Sequence, residues 1–74
     1  MTKKNETIFK ILKHKKCRRT IRGNVFSYSI NSLKIKVPSV IGNMINDLVG
    51  KKAYHMLRQL IVVHKDKIHT NFGD

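Results

Sequence analysis

The sequence contains no tryptophan, a single cysteine and only one proline in 74 residues. One cysteine, Cys17, cannot form a disulfide within the chain, which indicates a reducing environment rather than a disulfide-stapled secreted domain. No apolar run approaches the roughly 18 residues that cross a bilayer. The sequence therefore excludes the disulfide-rich class and predicts no membrane-spanning helix.

Acidic residues are also scarce, and those present are scattered: Glu6, Asp47, Asp66 and Asp74. They cannot be read as the carboxylate cluster of a metal-dependent nuclease. The four histidines and Cys17 have neither C-x-x-C nor H-x-x-x-H spacing, and the chain contains no glycine-rich phosphate loop and no G-x-S-x-G motif. We therefore expect no enzymatic activity, no metal site and no other cofactor.

Positive charge is what the sequence has in excess. Sixteen lysines and arginines stand against four acids, which gives a net charge of +12. Repulsion between these charges does not stabilise a small fold. We therefore expect the chain to bind a polyanion, whose counterions are released when lysine and arginine displace them. Nucleic acid is the expected partner, and an anionic membrane surface is the main alternative. With 41% hydrophobic residues, the chain can still form a core, and we predict a single domain, 1–74.

Three segments have the patterning of β-strands. Residues 7–12 (TIFKIL) mix β-branched and aromatic side chains and predict a strand. Residues 25–30 (VFSYSI) alternate in polarity and predict a half-buried strand after a turn at Gly23-Asn24, paired antiparallel with residues 7–12. A second turn is predicted at Asn31-Ser32. Residues 33–37 (LKIKV) predict a third strand or extended arm whose two lysines lie on the same face.

Apolar residues then recur at spacings of three and four from Pro38 towards residue 58, which predicts an amphipathic helix. Gly42 and Gly50 within it are expected to mark close packing or an irregular start. Residues 60–63 (LIVV) predict a buried strand, reached by a right-handed crossover between parallel strands. The predicted fold class is α/β, with a small mixed β-sheet and one main helix packed across it.

Three segments are predicted to be irregular: a basic N-terminal tail at 1–5, a basic inserted loop at 13–22 and a tail at 66–74. The loop carries six of the lysines and arginines, as expected of an exposed arm. Cys17 lies within it. Its cationic neighbours would lower the pKa of the thiol, but the favoured interpretation is an incidental cysteine in a basic loop. The N-terminus has neither signal-peptide nor transit-peptide patterning, so we expect either that the chain works in the compartment where it is made or that it is a mature form.

Several segments resemble ribosomal protein S-eleven of the small subunit. That family opens with Asn-Asn-Thr-Ile, and residues 5–11 (NETIFKI) are similar. Its turn reads Arg-Gly-Asn-Val followed by an apolar residue, Ser, an aromatic residue and Ser, as residues 22–29 (RGNVFSYS) do. Pro38 lies where the family's main helix begins. Residues 51–53 (KKA) resemble the later part of that helix, and residues 58–63 (RQLIVV) resemble the entry to the next strand.

The resemblance implies a C-terminally shortened version of the S-eleven fold. It also implies a non-catalytic constituent of the small-subunit platform, which binds small-subunit ribosomal RNA beside neighbouring platform proteins. Because the family continues with a second helix, another strand and a basic tail, we expect RNA or a separate chain to cover the open sheet. The expected location is a mitochondrial ribosome, with a cytoplasmic one as the alternative. The alternative function is a small basic DNA-binding nucleoid or regulatory protein.

The expected RNA contacts fall into two groups. Asn5, Thr7 and Arg22 match positions near the RNA-facing hairpin of S-eleven, and Lys34 and Lys36 stand in its shortened basic loop. The others are assigned from charge or position alone: Lys3, Lys4, Lys10, Lys13, Lys15, Lys16, Arg18, Arg19 and Asn31.

Overall fold

A computed structural model describes residues 2–72. Its four strands form one sheet in the order β1-β2-β3-β4, in which every neighbouring pair is antiparallel. Helices α1 and α2 pack on one face of this sheet, and α3 packs against both helices. This arrangement confirms the α/β fold class. The elements are α1 (Lys3–Lys13), β1 (Arg18–Arg22), β2 (Val25–Ile30), β3 (Leu33–Pro38), α2 (Ser39–Gly50), α3 (Tyr54–Val63) and β4 (His69–Thr70).

The two hairpins turn where the sequence predicts. Residues Gly23 and Asn24 link β1 to β2, and Gly23 has a φ of +55°. Residues Asn31 and Ser32 link β2 to β3, and Asn31 has a φ of +54°. Glycine and asparagine are the residues that adopt this left-handed region at least cost, so the chain reverses at both places without strain.

Residues 7–12 are helical, so the predicted strand there is wrong. They belong to α1, whose first turn is capped by Thr2, since its Oγ1 accepts a hydrogen bond of 3.1 Å from the backbone N–H of Asn5. The predicted tail at 1–5 is likewise wrong from Lys3 onward. Burial of one helical face outweighs the β preference of its residues. The buried apolar side chains of that face are Ile8, Phe9, Ile11 and Leu12.

The predicted basic loop at 13–22 is wrong over its second half, which forms β1. This strand pairs with β2 along its whole length, from Arg18 opposite Ser29 to Arg22 opposite Val25. Its five residues are all exposed, so cationic side chains cost nothing there while the backbone satisfies its hydrogen bonds in the sheet. Strand β2 therefore pairs with β1, not with residues 7–12 as predicted.

Helix α2 begins directly after Pro38, as the sequence predicts, and lies close to the sheet at Gly42. A Cβ atom at Gly42 would overlap the ring of Phe26 on β2. The neighbouring Tyr28 hydroxyl lies 3.1 Å from the carbonyl oxygen of Gly42 and 2.8 Å from Oδ1 of Asn46, and donates its proton to these oxygens. The close packing expected at this glycine is therefore confirmed.

Residues 60–63 are also helical, so the predicted strand and the parallel crossover are both wrong. A break at Lys52, whose φ is +57°, separates α2 from α3. In α3, Leu57 and Ile61 are fully buried, whereas Val63 is 74% exposed. A spacing of four between buried residues is that of a helix, and docking on α1 and α2 overrides the strand preference of the LIVV run. One long helix was predicted here, and two are found.

The predicted tail at 66–74 is partly ordered. A 3-10 turn at Lys65–Lys67 leads through the buried Ile68 into β4, which pairs with β3. The Asn71 side chain then continues the sheet: its Oδ1 accepts from the backbone N–H of Lys34 at 2.7 Å, and its Nδ2 donates to the carbonyl of Ser32 at 2.9 Å. The last two residues of the predicted tail lie outside the described residues.

Candidate nucleic-acid interface

One face of the sheet packs against helices and the other is open to solvent. Residues paired across antiparallel strands point to the same side, so the register defines which side chains share the open side. Phe26, Tyr28, Ile35 and Val37 lie on the covered side and are buried. We call the following set the open face: Arg18, Thr20, Arg22, Val25, Ser27, Ser29, Lys34, Lys36 and His69.

The cations of the open face form two parallel rails, one on β1 and one on β3, with β2 between them. Two strand spacings, about 10 Å in all, separate the rails. A trough of about 760 Å³ lies between them. All four cations are exposed. The arginine rail consists of Arg18 and Arg22, and the lysine rail of Lys34 and Lys36.

The floor of the trough is a serine row, Ser27 and Ser29, on β2. Among the described residues, neither hydroxyl takes part in a hydrogen bond. Each can therefore donate one hydrogen bond to a ligand and accept others from it. The trough thus offers neutral hydrogen-bonding groups between two lines of positive charge.

No acidic side chain within residues 2–72 lines this trough. Two of the acids are instead paired among the helices: Glu6 with Arg58 at 3.1 Å and Asp47 with Lys51 at 3.0 Å. The positive potential of the open face is therefore not neutralised by carboxylates of the trough itself. An anion in the trough therefore lies between two rows of positively charged side chains.

The structure brings four of the predicted RNA contacts together on the two rails, and a fifth, Arg19, also lines the trough. Lys15 and Lys16 lie in the turn that leads into β1. Asn31 lies at the end of β2, in the second hairpin turn. The register places Arg19 on the other side of β1, where its charge acts on Cys17 and Tyr28, but Arg19 also lines the trough between the rails.

The cations of α1 lie on the opposite side of the sheet from the open face, because α1 packs on the covered side. One of them is engaged with aromatic rings: Nζ of Lys13 is 4.7 Å from the ring centroid of Phe9 and 5.6 Å from that of Tyr54. A ligand bound in the trough is therefore remote from this group. Its members are Lys3, Lys4, Lys10 and Lys13.

The two polar residues of α1 that were predicted to contact RNA lie in the helix, on the covered side of the sheet. Asn5 is only 7% exposed, so its side chain is not available to RNA in this fold, and the prediction for Asn5 is corrected. The Thr7 hydroxyl donates to the carbonyl of Lys3 at 3.1 Å, and the prediction for Thr7 stays a prediction. Both positions follow from the helix that replaces the predicted first strand.

The sequence interpretation missed several members of the open face. The alternation of residues 25–30 does place Ser27 and Ser29 on the solvent side, so this signal was present. Thr20 and His69 could not be placed because β1 and β4 were predicted as loop and tail. Their position depends on pairing with distant residues, which no local pattern reveals.

Burial, not the cationic neighbours, dominates the chemistry of Cys17. Its thiol is partly buried, and desolvation raises its pKa above the usual value, against a smaller lowering by Arg19 and by a backbone hydrogen bond from Ser29. The expectation of a lowered thiol pKa is therefore wrong. Burial likewise raises the pKa of Tyr28 to about 12, so this hydroxyl stays protonated as a hydrogen-bond donor to α2.

Among residues 2–72, no group of three or more His, Cys, Asp and Glu side chains is placed to hold a metal ion. No helix in the same part of the chain is long and apolar enough to cross a membrane.

No protein-family model, curated protein or solved structure matches this chain. The resemblance to S-eleven thus rests on the quoted residues alone. Two of those segments, 5–11 and 58–63, lie in helices, where the resemblance implies strands. The 22–29 segment does form the hairpin that the resemblance implies.

Proposed function

We propose that this chain binds folded RNA through the open face of its sheet and acts as a non-catalytic structural protein. The observation that carries the proposal is the pair of cationic rails on one open face, with no carboxylate among the described residues that line it. A flat array of this kind suits a polyanion, whose phosphates can approach several cations at once. The rails account for electrostatic attraction, and the serine row for short-range hydrogen bonds.

The proposed mechanism is electrostatic docking followed by recognition of shape. Arginine and lysine displace the counterions condensed on the phosphate backbone, so binding weakens steeply as salt rises. Arg18 and Arg22 can each hold one phosphate by two hydrogen bonds, whereas the lysines act as point charges. No bond is made or broken in this process.

The finer proposal is that the RNA is that of a small ribosomal subunit, with a mitochondrial ribosome as the location. Its support is the similarity of residues 22–29 to the S-eleven hairpin, which in this fold joins the arginine rail to the serine row. Of the two covers expected for the open sheet, RNA or a separate chain, this proposal takes RNA. Residues 60–63, predicted as a strand of that sheet, lie in a helix instead.

Replacement of both rail lysines tests the interface. The variant Lys34→Gln with Lys36→Gln should weaken binding to a transcript of small-subunit ribosomal RNA. It should also reduce the slope of log affinity against log salt by about 2, because two phosphate contacts are lost. The measurement is a series of binding titrations between about 50 and 200 mM salt.

The matched control carries Lys3→Gln with Lys10→Gln on α1, which removes the same charge from the opposite side of the molecule. It should leave the salt slope unchanged, because these lysines lie on the side of the sheet opposite the trough. It should also keep the helix, because glutamine is as good a helix former as lysine. Equal weakening by the two pairs of substitutions would show that binding does not depend on the open face. Absence of binding to structured RNA would overturn the proposal altogether.

Sedimentation separates the ribosomal proposal from the DNA-binding alternative. Lysate from the source is centrifuged through a density gradient at moderate salt. The protein should sediment with the small ribosomal subunit. Movement with DNA, and release by deoxyribonuclease but not by ribonuclease, would instead identify a nucleoid protein. Both readouts use the full chain as it occurs.

A further inference from the structure

We infer that the open face is specific for the duplex form of RNA, and that it lies across the shallow minor groove rather than on single strands. This inference rests on the proposed function and names the form of nucleic acid that the same surface takes. Three features of the open face carry it: the side chains it lacks, its width, and the chemistry between its rails.

The first feature is the absence of phenylalanine, tyrosine and tryptophan. Surfaces that bind single strands stack successive bases on aromatic side chains, including sheet faces that do so. Among the described residues, the open face has no Phe, Tyr or Trp, and Phe26 and Tyr28 of β2 point to the covered side, where they are buried. The surface can hold phosphates and sugars, and the planar groups that it offers to unpaired bases are the imidazole of His69 and the guanidinium groups of Arg18 and Arg22 rather than a row of large aromatic rings.

The second feature is width. The open face extends over four strands, which is three spacings or about 14 Å. That exceeds the roughly 12 Å width of the B-form major groove, which admits a helix or a two-stranded ribbon. A face this broad lies over a groove rather than inside it. The minor groove of an A-form RNA duplex is wide and shallow and presents such a surface.

The third feature is the serine row between the rails. In the A-form minor groove, 2′-hydroxyls lie between the phosphates of the two strands. The open face has the complementary order, with cations on β1 and β3 and the hydroxyls of Ser27 and Ser29 between them. Since those hydroxyls have no partner among the described residues, they can bond to 2′-hydroxyls. DNA lacks these groups, so the serine row would distinguish RNA from DNA.

The test compares three probes of the same sequence: an RNA duplex of about 16 base pairs, the corresponding DNA duplex, and one RNA strand alone. The unmodified protein should bind the RNA duplex about tenfold more tightly than either of the others, as expected for a few neutral hydrogen bonds. Equal or tighter binding of the single strand would overturn the inference, and so would equal binding of the two duplexes.

The variant Ser27→Ala with Ser29→Ala isolates the serine row. It should lose the preference for RNA over DNA, with an unchanged salt slope on both duplexes, because all cations remain. The control variant, Ser32→Ala, removes a hydroxyl in the second hairpin turn and should keep the preference. If the double serine variant also kept it, the serine row would have no such role.

These outcomes differ from a failure of the proposed function. If no nucleic acid bound, or if the lysine-rail variant bound as tightly as the unmodified protein, the interface itself would be wrong. If the lysine rail mattered but all three probes bound equally, the interface would stand and only the preference for duplex RNA would fall.

Discussion

Gly42 is the residue that lets α2 lie against the sheet. It faces the ring of Phe26, and a Cβ atom in its place would overlap that ring. The same stretch of α2 supplies the carbonyl oxygen that faces the Tyr28 hydroxyl at 3.1 Å. Phe26 and Tyr28 alternate along β2 with the serine row. The packing of α2 at Gly42 therefore also holds in place the strand that carries the serine row.

We predict that Gly42→Ala destabilises the protein by about 1–3 kcal/mol, because a buried methyl group must displace the Phe26 ring. This figure is the net change, because the overlap with the ring costs more than the gain of about 1 kcal/mol that alanine normally gives in a helix. The free energy of unfolding from denaturant titration measures it.

Gly50→Ala is the matched control for this prediction. Nothing lies within 4 Å of a Cβ atom at Gly50, so this substitution should be neutral or stabilising by up to about 1 kcal/mol. If Gly42→Ala were as stable as Gly50→Ala, the close contact between α2 and β2 would be refuted.

At the scale of elements, α1 and α3 are the two segments whose local patterns suggest strands. Each has a run of β-branched and large apolar residues, yet each buries a stripe at helical spacing. The two helices contact each other, and a salt bridge of 3.1 Å joins Glu6 to Arg58 between them. The guanidinium carbon of Arg58 also lies over the aromatic ring of Phe9, 4.2 Å from the ring centroid. Packing between helices therefore decides their conformation.

Two substitutions in α3 distinguish a helix from a strand. In a strand, Ile61 and Val63 would share a face and respond alike. In the helix, Ile61 is fully buried and Val63 is 74% exposed. Ile61→Ala should therefore cost about 2–5 kcal/mol, and Val63→Ala less than about 0.5 kcal/mol. Similar losses of thermal stability in the two variants would favour the strand.

At the scale of the whole molecule, the charge is a burden on folding as well as a means of binding. A net charge of +12 is held in a body of 27 × 25 × 24 Å, and all sixteen cations are exposed. At about 10 mM salt the Debye length is roughly 30 Å, so every cation repels every other across the molecule. At about 150 mM it is roughly 8 Å, and only near neighbours interact.

We predict that the melting temperature rises as salt increases from about 10 to about 150 mM, because screening relieves this repulsion. The variant that lacks both rail lysines should show a smaller rise, since it begins with less charge. Thermal unfolding followed by circular dichroism measures both. A melting temperature that does not change with salt would show that the repulsion has no influence on folding.

The sequence by itself determined the features that depend on neighbours along the chain. Alternation predicts β2 and β3, including the shared face of Lys34 and Lys36. Glycine and asparagine predict both hairpin turns because few other residues adopt positive φ there at so little cost. The charge and the lack of clustered acids predict an affinity for polyanions, because neither depends on the fold.

Only the tertiary structure decided that residues 7–12 and 60–63 are helical, since both runs are compatible with either conformation until a packing partner is specified. The tertiary structure also placed β1 and β4 in the sheet. Their pairing gives hydrogen-bond partners to backbone groups for which the local sequence specifies none. The two rails are the product of that pairing. Arg18 and Lys34 are far apart along the chain and share one face only because β2 lies between them.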